Sequence, residues 1–328
     1  MFCVATWATV RAQDIHYSQQ FNSPLNLSPA LAGLFGGQHR VIGNARQQWR
    51  TVPVNYLTGS LSYDTKLAYR PGAGGFWGVG AQLNYDRGGF GDMTLAQLGL
   101  NLSRTQRLSD RHLVTVGAQL AAGQRGFDAD DLVYPDEWNR ADPTAPTPTA
   151  QAFDRERQVY PSLSAGANWR YQVRDARTFV NLGGGLYHLN TPEVNFREEA
   201  PVELDRRYSA YVLGTYEVAP RFDLIANFTY QWQGPHAEPL AGLRGKFYVT
   251  DPLLRTLAFQ VGAHWRLEDA VSPVVALNVD RWEVGFSYDL NVQGFHVATD
   301  AAGGPELSVI YTFRPIRPEI CLLCPEYL

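Results

Sequence analysis

The chain has 328 residues, a net charge of -4, 45% hydrophobic residues and 12% aromatics (17 Tyr, 16 Phe and 8 Trp). That charge leaves no basic footprint for nucleic acid. From Gln13 onward no stretch is continuously apolar for the length a transmembrane helix needs. The 30 Gly fall mostly inside alternating segments rather than between them, which is unlike an ordinary two-domain enzyme.

In chain order, residues 1–12 read as a processed leader. Phe2–Val10 is short and apolar, and Val10-Arg11-Ala12 offers small residues for cleavage before Gln13, although no Lys or Arg precedes the apolar run. Removal would take Cys3 with it and leave Cys321 and Cys324. Residues 13–38 precede the first strand; from Asp14 to Gly33 they show no clean period of 2 or 3.6, and Pro24 and Pro29 restrict themselves and their predecessors. Ile15, Tyr17, Phe21, Leu25, Leu27 and Leu31 are ill suited to a free tail, so the segment is expected to be ordered and irregular. It is expected inside a lumen or against its periplasmic mouth, as a plug, a filler or a docking element. Asp14, Tyr17, Gln19, Phe21, Pro24 and Pro29 are its candidate contacts.

From about residue 39 to 314 the pattern is period-2 alternation. Trp77, Val79, Ala81, Leu83 and Tyr85 alternate with Gly78, Gly80, Gln82, Asn84 and Asp86. Phe222 to Trp232, Leu257 to Leu267 and Trp282 to Leu290 repeat the pattern. Such runs last about ten residues, longer than the five or six of soluble strands, and end in Trp or Tyr. The expected architecture is all-β: an antiparallel outer-membrane barrel of about fourteen strands. The strands are placed roughly at 39–50, 54–66, 75–87, 92–104, 111–124, 158–172, 176–190, 206–218, 221–233, 239–250, 255–268, 272–281, 282–295 and 305–314. Connections after even strands are mostly tight (173–175, 219–220, 251–254), whereas 125–157, 191–205 and 296–304 are long. That sorting fits short periplasmic turns and long external loops, and an even count puts both termini in the periplasm.

By parity Asp64, Asp86, Arg170, Glu217, Asp223, Arg244, Lys246, Arg266, Glu283 and Asp289 face the lumen. Mixed signs there suggest paired charges, or else a selective water-filled path. Tyr311 and Phe313 are expected on the lipid face of the closing strand, with Leu307 and Val309.

No G-x-S-x-G, H-E-x-x-H, phosphate loop or dinucleotide fingerprint occurs, so no enzyme, catalytic residue or cofactor is expected. Asp128, Asp130 and Asp131 lie in a Pro-rich acidic loop that lacks the Gly and terminal Glu of a calcium loop. Cys321 and Cys324 have half the spacing of a zinc site without a second pair. A local disulfide and two separate thiols both fit. No metal site is expected within the chain. Residues 315–328 read as a periplasmic tail.

Two regions resemble a known family. Ala12-Gln13-Asp14-Ile15-His16-Tyr17-Ser18-Gln19-Gln20, then Ser23-Pro24-Leu25 and Ser28-Pro29-Ala30-Leu31-Ala32-Gly33, resemble the opening of PorP/SprF proteins, with Ser28 where Asn is usual and Tyr17 where Phe is usual. Arg40-Val41 and Asn44-Ala45-Arg46-Gln47-Gln48-Trp49 resemble the family's first strand, with Ala45 replacing an aromatic. Tyr187-His188-Leu189-Asn190 with Pro192, Ser287-Tyr288-Asp289-Leu290-Asn291, Gly303-Gly304, Glu306 to Phe313 and Cys324-Pro325 extend the likeness.

The resemblance implies an outer-membrane component of the type IX secretion system of Bacteroidetes-like bacteria. It implies export or surface retention of adhesins with a C-terminal sorting domain, including those of gliding motility. Partners would be outer-membrane lipid, secreted adhesins and other secretion components. The rival reading is a passive porin or hydrophobic-solute channel of the fatty-acid-transporter type.

Overall fold

A computed structural model describes residues 14–48, 56–67, 74–89, 91–128, 153–196, 202–250, 256–267, 269–292 and 302–313. The proposed leader, most of the acidic loop, both C-terminal cysteines and the proposed tail lie outside the described residues.

Fourteen antiparallel strands form one closed barrel. They are β1 (His39–Gln48), β2 (Tyr56–Leu67), β3 (Gly75–Gly88), β4 (Met93–Arg107), β5 (His112–Gly126), β6 (Arg157–Gln172), β7 (Phe179–Tyr187), β8 (Arg207–Ala219), β9 (Phe222–Gln233), β10 (His236–Tyr248), β11 (Leu257–Arg266), β12 (Ala270–Val279), β13 (Trp282–Asn291) and β14 (Ala302–Phe313). Each strand pairs with its sequence neighbours, and β14 closes on β1 from His39↔Phe313 to Arg46↔Glu306. Closure leaves no strand edge to satisfy, the condition for crossing lipid with strands. Among the described residues no helix is long and apolar enough to cross a membrane.

Alternation turns one face of every strand outward as an apolar surface. Leu61, Leu83, Leu100, Leu120, Val261 and Val275 are each more than half exposed. A contiguous apolar band of that kind has no place in water. Aromatics collect at its two rims. Trp77, Trp169, Trp282 and the stacked Phe222, Phe247 and Phe259 lie at the ends where odd strands begin. Tyr85, Trp265 and the stacked Tyr208–Trp232 pair lie at the other. Two rings flanking an apolar band are the girdles of an outer-membrane barrel. Tyr311 and Phe313 belong to the first rim, with ring centroids 4.5 Å apart, and Tyr311 also packs on Trp282 at 4.5 Å.

The two mouths differ. Where even strands end, the connections are short, the longest being 249–256; this is the turn-side mouth. Where odd strands end, the connections include 127–156 and 188–206; this is the loop-side mouth.

The inner face of the strands is polar and buried. Every charged residue assigned to the lumen by parity lies on that phase. Residues 14–38 run through the lumen. They form three short helical turns, Gln20–Asn22, Pro24–Leu27 and Pro29–Leu31, the last two each begun by a proline. Proline fits there because its missing N–H would have no helical partner at the first position. Leu25, Leu27, Leu31, Leu34 and Phe35 are at most 2% exposed. Each such side chain contributes about 1.5–3 kcal/mol relative to exposure.

Candidate functional site

The plugged lumen is the candidate site, and it is built from both ends. At the loop-side mouth, Asp14 sits among the end of β5, the residue after β7, the start of β8 and the end of β9. Its Oδ2 lies 2.7 Å from His188 Nε2 and 3.4 Å from Arg207 Nε, and its Oδ1 3.3 Å from Arg125 Nη2. Its backbone N–H donates to Gln233 Oε1 at 3.0 Å. Burial by itself would raise the Asp14 pKa; His188, Arg207 and Arg125 outweigh that and hold the carboxyl well below the usual range. His188 has φ 56°, which ends β7 and turns the ring inward, where Ser162 Oγ lies 2.8 Å from Nδ1. Below Asp14, Ile15 and Tyr17 pack with Leu95, Tyr160, Val194 and Leu204.

The next layer grips the backbone of the plug. The N–H groups of Ser18 and Gln19 donate to the two oxygens of Glu306 at 2.7 and 2.8 Å. Ser18 Oγ donates to Asp289 at 2.7 Å, and Gln19 Nε2 to Ser287 Oγ at 3.0 Å. Asp289 also receives Arg46 at 2.6 Å, Arg266 at 2.8 Å and Ser272 at 2.6 Å. Arg46 in turn donates to the carbonyl of His16 at 3.0 Å. His16 stands 3.8 Å from Glu238. Burial lowers its pKa, against the pull of Glu238.

Farther along, Tyr187 donates to the Leu25 carbonyl (2.8 Å), Ser28 to the Gly184 carbonyl (2.8 Å) and Ser103 to the Ala32 carbonyl (2.7 Å). At the turn-side mouth Gly33 N–H donates to Asp64 (2.8 Å), whose carboxylate is also held by both prongs of Arg40 at 2.9 Å. Lys66 caps the Phe35 carbonyl at 2.5 Å, and Gln38 N–H donates to Phe313 O at 2.9 Å. A peptide inside a barrel must have its backbone groups paired, and the wall supplies those pairings.

The wall also makes room. Gly78, Gly117, Gly166 and Gly185 all face inward on β3, β5, β6 and β7. An added Cβ would lie 2.1 Å from Ala32 O, 2.5 Å from Ala30 N, 2.2 Å from Ser28 Oγ and 2.5 Å from Leu27 O respectively. The plug is therefore seated on a bed of bare backbone across one side of the barrel.

Of the sequence candidates, Asp14, Tyr17, Gln19, Phe21, Pro24 and Pro29 are all brought into this lumen. Phe21 faces Arg244, with the guanidinium carbon 4.0 Å from the ring centroid. Pro24 borders a cavity, and Pro29 lies on Gly117 and Gly166. Tyr311 and Phe313 stand apart on the lipid side. Among the described residues Asp14 lies at the loop side and Phe313 at the turn side, and the expected placement of both termini in the periplasm falls on residues outside them. Strand parity fixes only where β1 begins and β14 ends, and the lead-in crosses the lumen. Sequence reasoning missed Glu306, Arg46, His188, Arg125 and Arg207 as plug contacts. Parity alone places four of them inward; nothing local marks their partners, which are remote in sequence.

The architecture defines the class: an outer-membrane β-barrel closed by its own N-terminal segment. Residues 9–311 match the family of type IX secretion system membrane proteins PorP/SprF, and the chain belongs to that family. Membership implies association with type IX secretion components. No curated protein matches the sequence. Among solved structures the barrel is similar to the monoaromatic hydrocarbon channel CymD (10% identity, 86% of this chain and 90% of that chain, TM-score 0.48). It is also similar to the toluene transporter TodX of P. putida (9%, 85% and 91%, TM-score 0.47) and to a Pseudomonas aeruginosa FadL homologue (10%, 85% and 90%, TM-score 0.46). Likeness at this level says nothing of cargo or substrate.

Proposed function

We propose that this protein is a plugged, non-catalytic barrel of the type IX secretion system that supports export or surface retention of adhesins carrying a C-terminal sorting domain. In this reading it works as a platform in the outer membrane, with its turn-side mouth toward the periplasm and its loop-side mouth outward. The observation that carries it is the plug: a segment hydrogen-bonded to the wall from Asp14 to Gln38 favours a partner-holding barrel over a passive channel. In this reading the plug occupies the lumen, and any movement of cargo is driven by associated components.

Two measurements test the proposal together. Affinity purification from native membranes should recover secretion components or sorting-domain adhesins, and planar bilayers should register no steady current from the full chain. A barrel that conducts steadily and co-purifies with neither class of protein is a channel. Deleting Asp14–Gly33 should open a current. Partners lost with the deletion dock near the plug; partners retained dock on the barrel's mouths.

A further inference from the structure

On the lipid-facing side of β2–β6, toward the loop-side mouth, the wall is hollowed by a groove of about 690 Å³. Its floor lies where outward positions carry almost no side chain, at Gly59, Ala96 and Ala122, and Leu83, Leu98 and Val159 rise around it. These three are 52%, 48% and 64% exposed, so the groove is on the outer face and not in the lumen. Tyr85 of the loop-side girdle pairs with both Gly59 and Ala96, which sets the groove at the membrane interface.

The rim above the groove is basic. Pairing register puts Arg87, Thr94, Gly126 and Arg157 in one outward row across β3, β4, β5 and β6. The next outward row toward the membrane is Tyr85, Ala96, Gln124 and Val159. Three strand spacings separate the two arginines, ~14 Å. A Cβ added at Gly126 would lie 3.2 Å from Arg157 Cγ, so the stem of Arg157 lies over the bare backbone of β5. Arg157 has no ion-pair partner among the described residues, and Glu156 precedes it on the opposite phase. Arg87 Nε is 3.3 Å from Asp92, with both side chains about half exposed. An exposed pair of that kind contributes little and yields to a stronger anion. A guanidinium fork is shaped for phosphate oxygens.

We propose that this groove binds a phosphorylated glycolipid of the loop-side leaflet. An acyl chain lies over Ala96 and Ala122, and a disaccharide head with a phosphate at each end spans Arg87 and Arg157 above Gln124. A phospholipid head, with its single phosphate, reaches only one of the two arginines. The assignment rests on the loop-side mouth facing outward, as proposed above; it does not depend on adhesins being the cargo.

The test is native mass spectrometry of the full-length barrel in a neutral detergent, with diphosphoryl lipid A as the probe. One lipid A should bind per chain, about tenfold more tightly than phosphatidylglycerol or phosphatidylcholine. Replacing both arginines, Arg87→Gln with Arg157→Gln, should abolish that preference. Ala122→Trp, which fills the groove without touching either arginine, should weaken lipid A binding about tenfold. Val275→Trp, on the lipid face of β12, should bind as the wild type does. All these positions face outward, so each variant should keep its heat-modifiable migration. Equal binding of phosphatidylglycerol would assign the groove to an ordinary anionic phospholipid and overturn the proposal. So would a preference that survives loss of both arginines, undiminished binding to Ala122→Trp, or a dimer of the chain that excludes lipid. If a variant does not fold, the wild-type comparison of the three lipids decides, and none of these failures touches recovery of secretion partners.

Discussion

His188 Nε2 lies 2.7 Å from Asp14 Oδ2, a contact across 174 positions that ties the start of the plug to the loop-side end of β7. With Arg125 and Arg207 on the same carboxylate, it makes Asp14 the anchor of one end of the threaded segment. Asp14→Asn removes the charge while keeping the shape, leaving two buried guanidiniums without their anion. Breaking a buried pair in this way costs about 3 kcal/mol or more. The expected outcome is faster hydrogen exchange in residues 14–20 and a lower thermal transition, with the barrel still closed.

The same carboxylate sets an acid limit. Its folded pKa is depressed, so its contribution to stability is fully present above the unfolded value of about 3.9 and is lost as pH falls toward the folded value. The stability difference between wild type and Asp14→Asn should therefore be constant from pH 7 to 5 and shrink below pH 4. Parallel unfolding titrations at each pH check it; a difference that shrinks already at pH 6 would point to another group.

At the lipid face, Tyr311 and Phe313 complete the turn-side girdle where β14 meets β1, and Phe313 is 41% exposed. Replacing both with Asp puts charge at the membrane rim and removes the packing on Trp282 and His39. Near an interface each charge costs about 1 kcal/mol, and each lost ring contact about 0.5–1.5 kcal/mol more. The double variant should fall in outer-membrane abundance and lose heat-modifiable migration, measured on fractionated membranes.

The barrel was legible because alternation is a local signal. Each strand's own residues say which face is lipid and which is lumen, so Asp289 and Arg266 could be placed inward without knowing their neighbours. The pairing of Asp289 with Arg46, 243 positions away, could not be read, because it depends on shear and closure. The plug was legible as misplaced apolar residues next to prolines, but not its direction of travel. That follows from the partners of Asp14, which lie at the loop-side ends of four strands.

Asp289 receives four side chains at once, Arg46, Arg266, Ser18 and Ser272. Asp289→Asn leaves two guanidiniums 1% and 4% exposed with only Glu306, Glu238 and Asp269 nearby. The expected loss is about 3–5 kcal/mol, larger than for Arg46→Met, which removes a cation and leaves Asp289 paired with Arg266. Urea midpoints of the two variants in detergent, compared with wild type, give the order; Arg46→Met falling below Asp289→Asn would contradict it.

The glycine bed makes the sharpest separation between plug and barrel. Gly117 and Gly166 have their space taken by the plug, at Ala30 and Ser28, while Gly43 on the opposite, lipid-facing phase of β1 has nothing within 4 Å of an added Cβ. Strand propensity alone would favour valine over glycine at all three positions, by up to about 1 kcal/mol. If the bed exists to seat the plug, Gly43→Val should be neutral or stabilising, whereas Gly117→Val and Gly166→Val should push the segment off the wall. The displaced plug would expose Leu27 and Leu31, and the lumen would admit ions. Single-channel recording should show current from Gly117→Val and Gly166→Val and none from Gly43→Val, with all three proteins migrating as closed barrels before boiling. In the Asp14–Gly33 deletion background the glycine substitutions should no longer alter conductance, because the segment they displace is gone.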